Sequence, residues 1–367
     1  MNLQLKKIVT YKYPQIRMTP NYTNIHNRFK INGVYLNREG LFQMGFNGIK
    51  EGDDYERDMG LFILDWIDEN ETIELVTSGT TGTPKLITLQ KQAMVNSAIA
   101  TADFFDLSPG DSALHCLPTK YIAGKMMLIR AIVIGLELDI VAPTSHIEIA
   151  PSKKYVFGAL VPMQAEASMS KLNQFKKIII GGAKLDSALA EKLAFCSAEI
   201  YETYGMTETI THIAAKKIGV DRFKILPHIN ISKDERGCLT LKAPNITDEA
   251  IVTNDLVEIC NENEFKWLGR YDNVINSGGI KHLPELIEAK LATKISHRFF
   301  IAGMPDISLG EKIVLFIESE KFPLDANFLD SLEKFERPKE IYFLPQFIEK
   351  NNKIRRFEMI QNQLTSL

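Results

Sequence analysis

The sequence predicts an α/β protein with a large layered first domain and a smaller α+β second one, on three observations. Between residues 72 and 202, strand-type apolar runs alternate with helix-type runs. From Arg222 to Leu268 the segments become short and strand-like. Beyond about Arg270 a new mixture of strands and helices begins. Alternation of the first kind implies a mostly parallel sheet covered on both faces. Short strands separated by turns imply a small β subdomain. A chain of 367 residues fits two domains better than one, divided here into 1–269 and 270–367.

The elements follow in order. The first seventy residues carry weak signals: Asn-Gly and Glu-Gly pairs read as turns, and Tyr55–Ile67 has helical spacing. Thr72–Val76 alternates as a strand does. Gln90–Phe105 reads as a helix, Asp111–Leu117 as a strand, Gly124–Ile134 as a helix and Leu138–Ala142 as a strand. Tyr155–Leu160, Lys177–Ile180 and Glu199–Glu202 are further strands, with a helix over Leu185–Phe195. Turns fall at Asp234–Gly237 and Asn261–Asn263. In the last unit Pro284–Ala292 reads as a helix, Phe299–Gly303 and Lys312–Glu318 as strands, and Ala326–Phe335 as a helix.

Composition narrows the function. Hydrophobic residues make up 45%, enough for a core without disulfides or metal. The net charge of −3 argues against a nucleic-acid binder held by bulk electrostatics. Cys116, Cys196, Cys238 and Cys260 stand far apart, so each is expected as a buried free thiol. The N-terminal residues lack signal-peptide order, and Met126–Leu136 is too short to span a bilayer. The expectation is a cytoplasmic protein with no membrane partner; a homo-oligomer remains compatible.

Five segments carry chemistry. Thr77-Ser-Gly-Thr-Thr-Gly-Thr-Pro-Lys85 packs hydroxyls, glycines and a lysine into one loop after a strand. Such a loop offers many donors to a polyphosphate; the plain alternative is a solvated turn. It is not a Walker A loop, because Pro84 precedes Lys85 and Leu86 follows it. Gly181-Gly182-Ala183 ends a buried strand, where ligands of open α/β sheets sit. Tyr201-Glu-Thr-Tyr-Gly-Met-Thr-Glu208 places Tyr204 to stack on a base, Thr207 to donate to phosphate and Glu208 to ligate magnesium. Asp255 of Thr253-Asn-Asp255 is a candidate acceptor for ribose hydroxyls, with Arg270 behind it and a flexible loop at Ser277-Gly278-Gly279. Lys353 lies in Asn351-Asn-Lys-Ile-Arg-Arg356, which alone reads as a basic tail. Each segment has a bland reading as a turn, a strand exit or a solvated surface.

Taken together and in this order, the five segments resemble the adenylate-forming superfamily of acyl- and aryl-CoA ligases, luciferases and peptide-synthetase adenylation domains. Thr77–Lys85 is similar to its phosphate loop, and Tyr204-Gly205-Met206-Thr207-Glu208 to its Tyr-Gly-x-Thr-Glu core. Thr253-Asn-Asp255 resembles its Thr-Gly-Asp, and Asn352-Lys-Ile-x-Arg356 its terminal Gly-Lys-Ile-x-Arg. Both carry Asn for Gly, a mild change because Asn tolerates positive φ. Gly269-Arg-x-Asp272 resembles its hinge motif. Within the superfamily the text of 204–213 and 269–279 resembles the o-succinylbenzoate–CoA ligase branch of menaquinone synthesis. Leu117–Gly124 resembles the family's Leu-Pro-x-x-His-x-x-Gly, with Tyr121 in place of histidine. The segment before the phosphate loop is shorter than the family's, so the first subdomain is expected to be reduced.

The resemblance implies a two-step enzyme. ATP, Mg²⁺ and coenzyme A are its implied cofactors and co-substrates, and an aryl or acyl acid its substrate. Lys353, Thr207 and Glu208 are implied as catalytic, Glu208 as the magnesium ligand. Thr77, Ser78, Gly79, Thr80, Thr81, Gly82, Thr83, Lys85, Gly181, Gly182, Ala183, Tyr204, Gly205, Met206, Asp255 and Arg270 are implied for the nucleotide. Asp272 is implied as the pivot of a mobile C-terminal lid, and 277–279 as the coenzyme A region. Tyr121 and Arg130 are implied for the acid. An arginine amid Met126, Leu128, Ile129 and Ile132 is odd; it snorkels, pairs structurally or meets a substrate carboxylate. Another acid ligase, or a non-catalytic adenylate binder, would carry the same text.

Overall fold

The computed structural model describes residues 20–77, 85–183, 185–325, 327–350 and 353–365. Asn32-Gly33, at φ 49° and 81°, turns the chain between β1 (Lys30–Ile31) and β2 (Val34–Tyr35), as a two-residue hairpin requires. The other Asn-Gly pair behaves differently. Asn47-Gly48 lies inside helix α1 (Arg38–Glu51), which overturns the expected turn. The cause is packing against α2 (Asp54–Ile67). A Cβ on Gly48 would lie 2.8 Å from the Glu56 carbonyl, and one on Gly60 would collide with the Gly45 carbonyl. Glycine serves here for close approach of two helices rather than for a turn.

β3 (Thr72–Thr77) and β4 (Lys85–Gln90) pair antiparallel, from Thr72 opposite Gln90 to Thr77 opposite Lys85. The phosphate-type segment therefore joins the two strands of one ribbon. Helix α3 (Lys91–Phe105) follows directly. Its first residue, Lys91, is fully buried and pairs with Asp68 at 2.6 Å.

The alternation of strands and helices builds the parallel centre. β5 (Ser112–His115), α4 (Ile122–Ile134), β6 (Glu137–Ile140) and β7 (Tyr155–Leu160) come first. The short helices α5 (Pro162–Ala167) and α6 (Met169–Leu172) lead to β8 (Phe175–Ile180), α7 (Ser187–Ala194) and β9 (Glu199–Gly205). β8, β7 and β5 run parallel between β9 and β6. Apart from Lys125 and Arg130, α4 is apolar all round, and Met126 to Ala131 is buried throughout, as expected of a helix enclosed on all sides.

β10 (His212–Lys217) turns back antiparallel to β9. β11 (Phe223–Ile225), β12 (Asn230–Lys233), β13 (Cys238–Lys242), β14 (Ile251–Asn261) and β15 (Glu264–Arg270) follow. They have their own core of Phe223, Leu239, Leu241, Val257 and Phe265. The expected β subdomain is nevertheless continuous with the α/β part. β11 pairs with both β10 and β15, so one mixed sheet of 13 strands runs in the order β12-β13-β14-β15-β11-β10-β9-β8-β7-β5-β6-β1-β2.

A second sheet begins at β16 (Ile275–Ser277) and β17 (Ile280–His282). Helix α8 (Pro284–Leu291), β18 (Phe299–Asp306), β19 (Gly310–Glu318) and β20 (Glu340–Leu344) complete it, in the order β17-β16-β19-β18 with β20 beside β19. A small ribbon of β21 (Glu349–Lys350) and β22 (Lys353–Ile354) precedes α9 (Arg356–Thr365). The helix expected over Ala326–Phe335 is overturned; from 327 the chain makes successive turns. Their bonds run from Phe328 to Asp325, Asp330 to Asn327 and Leu332 to Leu329. Asp325 and Glu336 carboxylates take the amides of Asn327 and Glu333, the local competition that disfavours helix. All four cysteines are free, but only Cys116 and Cys238 are buried; Cys196 and Cys260 are half-buried. Among the described residues no helix is long and apolar enough to cross a membrane.

Candidate active site

The candidate site centres on the carboxyl ends of β8 and β9. Thr203 on β9 donates its hydroxyl to the Ile180 carbonyl at 3.1 Å. A Cβ on Gly181 would strike that hydroxyl, so only glycine lets the end of β8 lie so close to β9. Gly182 has φ 83°, and Ala183 follows it in a bend. Gly205 likewise has no room for a Cβ, because the Thr211 carbonyl occupies that space.

Between Gly205 and Thr211 the chain makes one tight loop that presents Thr207 and Glu208. Thr209, fully buried, nails it down. Its hydroxyl accepts from the Met206 amide at 2.9 Å and reaches the Thr211 carbonyl at 2.7 Å. Ile210 is forced to φ 67°, a rare state for a β-branched residue and a mark of functional loops. Glu208 is exposed and Thr207 half-buried. Thr209 and Ile210 went unread in the sequence, which gives no sign of a strained turn in Thr-Glu-Thr-Ile.

Asp255 gathers three of the other predicted residues, Tyr204 and Arg270 directly and Asp272 through Arg270. Its Oδ2 accepts the Tyr204 hydroxyl at 2.6 Å and its Oδ1 the Trp267 indole N–H at 3.1 Å. The Arg270 guanidinium lies 3.6 Å from Oδ1 and 2.9 Å from Asp272 Oδ2. Asn254 Nδ2 lies 3.3 Å from both oxygens of Asp272. Arg236, from the turn between β12 and β13, donates to Asn254 Oδ1 at 2.9 Å and to the Thr253 carbonyl at 3.1 Å. A carboxylate has about four lone-pair positions, so Asp255 keeps acceptor capacity beyond these partners. The Tyr204 ring packs on Phe223 and Phe265, and burial followed by the Asp255 charge raises its pKa. Trp267 and Arg236 were missed. Trp267 lies three residues before Arg270 on β15, which in a regular strand is the opposite face; the register shift between Leu256 and Val257 brings it to the side of Asp255, and the sequence does not signal that shift.

Arg130 sits under the loop. It is 1% exposed. Its NH2 donates to the Thr211 hydroxyl at 3.2 Å and lies 3.5 Å from His212 Nδ1. Its Nε has no partner, and no carboxylate pairs with it among the described residues. Burial lowers its pKa from 12.5 to about 9, still charged at neutral pH. Burial, reinforced by this arginine, holds His212 well below the usual histidine range, so His212 is a neutral acceptor or donor here. Snorkelling is thereby excluded for Arg130.

Other predicted residues lie apart or outside. Tyr121 caps α4 and is 57% exposed, with Lys120 over its ring. Ser277-Gly278-Gly279 is not a loose loop: Ser277 ends β16, and Gly278-Gly279, both at positive φ, make the two-residue turn to β17. Ser78, Gly79, Thr80, Thr81, Gly82 and Thr83 lie outside the described residues, as do the side chains of Thr77, Lys85 and Lys353; the backbones of these three are strand residues. Among the described residues no group of three His, Cys, Asp or Glu could hold a metal by itself. Magnesium that arrives on a polyphosphate needs only one or two carboxylates, and exposed Glu208 fits that demand.

A mixed sheet with a parallel centre, an acidic acceptor, a glycine-lined strand end and a strained Thr-Glu loop agrees with the adenylate-forming family that the sequence resembles. The chain belongs to that family. The profile of AMP-binding enzymes matches residues 68–235. A solved acyl-CoA synthetase (AMP-forming)/AMP-acid ligase II-like protein from Dyadobacter fermentans is 35% identical, with TM-score 0.58, over 84% of this chain and 95% of that one. The 2-succinylbenzoate–CoA ligase of Haemophilus influenzae is 26% identical over 77% of this chain and 69% of its own. The o-succinylbenzoate CoA synthetase of Bacillus subtilis with ATP and magnesium shares the fold at TM-score 0.67 and 19% identity, over 83% of this chain and 74% of that one.

Proposed function

We propose that this chain is an ATP-dependent acid–CoA ligase of menaquinone synthesis that acts on o-succinylbenzoate, the acid in the names of several relatives. One observation carries the choice of acid: Arg130 is a buried cation with an unfilled donor and no carboxylate partner among the described residues. A buried charge needs a counter-charge. o-Succinylbenzoate brings two carboxylates, one to be activated and an aryl one to meet the guanidinium.

In the first half-reaction a carboxylate oxygen attacks the α-phosphorus of ATP. The bond to the bridging oxygen breaks, and pyrophosphate leaves. The acid is already ionised at neutral pH, so no general base is needed. Asp255, oriented by Tyr204 and Trp267, accepts the ribose hydroxyls. Lys85 and the loop hydroxyls hold the β- and γ-phosphates, and Lys353 bridges the reacting carboxylate and α-phosphate. Glu208 would hold magnesium, which neutralises phosphate charge. In the second half the coenzyme A thiol attacks the acyl carbon and AMP leaves. Residues 270–367 act as a lid that pivots at Asp272 between the two.

A panel of aryl and acyl acids, read by pyrophosphate release and thioester formation, tests this. o-Succinylbenzoate is expected to give the highest kcat/KM, with the monoacid lacking the aryl carboxylate well below it. Equal turnover of the two would remove the dicarboxylate assignment.

A further inference from the structure

Lys353 stands on a ribbon of two residues per strand, Glu349 opposite Ile354 and Lys350 opposite Lys353. So short a hairpin does not hold its own place. The anchor is the arginine that follows. Arg356 NH1 lies 2.8 Å from Glu288 Oε1, and its NH2 lies 3.1 Å from Oε2. The Glu288 side chain is 9% exposed, and Oε1 also accepts the Ile301 amide at 3.0 Å. The guanidinium lies over the Phe300 ring at 5.3 Å. This is a two-pronged, mostly buried charge pair tying α9 and the ribbon to α8 and β18.

A buried pair of this kind adds little stability over apolar packing, but its fork geometry admits one register. Helix α8 also reaches the other end of the proposed lid. Glu285, one turn before Glu288, accepts Asn273 Nδ2 at 2.6 Å. Its other oxygen has no partner among the described residues and fills the space where Gly269, at φ 153°, lacks a Cβ. One rigid helix thus touches both the proposed pivot and the anchor of the lysine ribbon.

We propose that Glu288 is a positioning residue for the adenylation step: through Arg356 it fixes the ribbon that presents Lys353 to the reacting groups. The inference rests on the reading of Lys353 given above. Misplacement of a reacting group by about 1 Å lowers rate on the order of a hundredfold. Glu288→Gln keeps the shape and an acceptor for the Ile301 amide but removes the charge. It is expected to slow ATP–pyrophosphate exchange with o-succinylbenzoate by about tenfold to a hundredfold. Conversion of o-succinylbenzoyl adenylate to thioester should stay within about twofold of wild type.

The double variant Glu288→Leu/Arg356→Met guards against misfolding. It is expected to retain a near-normal melting temperature while exchange stays slow. Recovery of exchange along with stability would make the pair a mere staple and overturn the proposal. So would equal losses in both half-reactions of Glu288→Gln. Lys353→Ala separates the two ideas. If it spares exchange, the reading of Lys353 fails. If it abolishes exchange while Glu288→Gln leaves it intact, the positioning proposal alone fails.

Discussion

Arg130, in its proposed role as partner of the substrate carboxylate, would set function against stability. Its folded-state pKa of about 9 lies below the ordinary 12.5, so the unfolded chain binds its proton more tightly. Stability rises with pH wherever the unfolded state holds more protons; the full penalty of the buried charge is therefore present below about pH 9. Removing it should help the fold and harm the site. Arg130→Met is expected to raise the melting temperature of the ligand-free protein and to raise KM for o-succinylbenzoate about ten- to a hundredfold, with KM for ATP unchanged. A fall in melting temperature, or an unchanged KM, would assign Arg130 to structure. Position 130 was legible as an anomaly in an apolar helix; its partners Thr211 and His212 were not, because they arrive from another strand.

Two buried histidines contribute to the acid limb of stability. His115 is 3% exposed, and burial holds its pKa at about 4 against 6.5 unfolded. His212 is shifted in the same direction by burial and by Arg130. Between those values the unfolded chain binds a proton that the folded chain does not. The contribution is complete above about pH 6.5 and is lost progressively toward about pH 4, amounting to about 3 kcal/mol for His115. Urea unfolding between neutral pH and about pH 4.5 should show this loss. His115→Asn should flatten the dependence; an unchanged slope would place the titrating groups elsewhere.

At the scale of elements, the long periodic segments were readable and the exceptions have physical causes. The helix at Pro284 and the strands at Tyr155, Phe299 and Lys312 stand within a few residues of their expected bounds. Residues 327–333 fail as a helix because neighbouring carboxylates capture their amides. Helix α1 was missed because Gly40, Gly45 and Gly48 argue against a helix by propensity, while the contact with α2 requires Gly45 and Gly48. That contact makes a prediction. Gly60→Ala places a methyl against the Gly45 carbonyl, which belongs to backbone and cannot swing away. The expected loss is about 1–3 kcal/mol in urea unfolding, with KM values unchanged. A neutral effect would mean that the two helices slide apart without penalty.

At the scale of the whole molecule, the alternation of strands foretold the parallel centre, and the change near Arg270 foretold a second sheet. Continuity of the 13 strands was hidden, because it depends on β11 pairing with β15 across forty residues, and local patterns do not encode such pairings. Between the two sheets the chain runs through a single 3-10 turn, Tyr271–Asn273. On one side Arg270 and Asn254 hold Asp272; on the other, Glu285 holds Asn273. In the proposed two-step reaction this turn is the pivot, and its torsions would change between the half-reactions. Asp272→Pro fixes φ near −65°. Pyrophosphate exchange is expected to stay within about twofold of wild type, and thioester formation to slow by about tenfold or more. Asp272→Ala, which removes the same side-chain contacts but leaves φ free, should keep both half-reactions near wild type. If the proline variant performs both at wild-type rates, the pivot lies elsewhere. If the alanine variant slows thioester formation as much as proline does, the contacts of the carboxylate, and not rotation at this residue, limit the step.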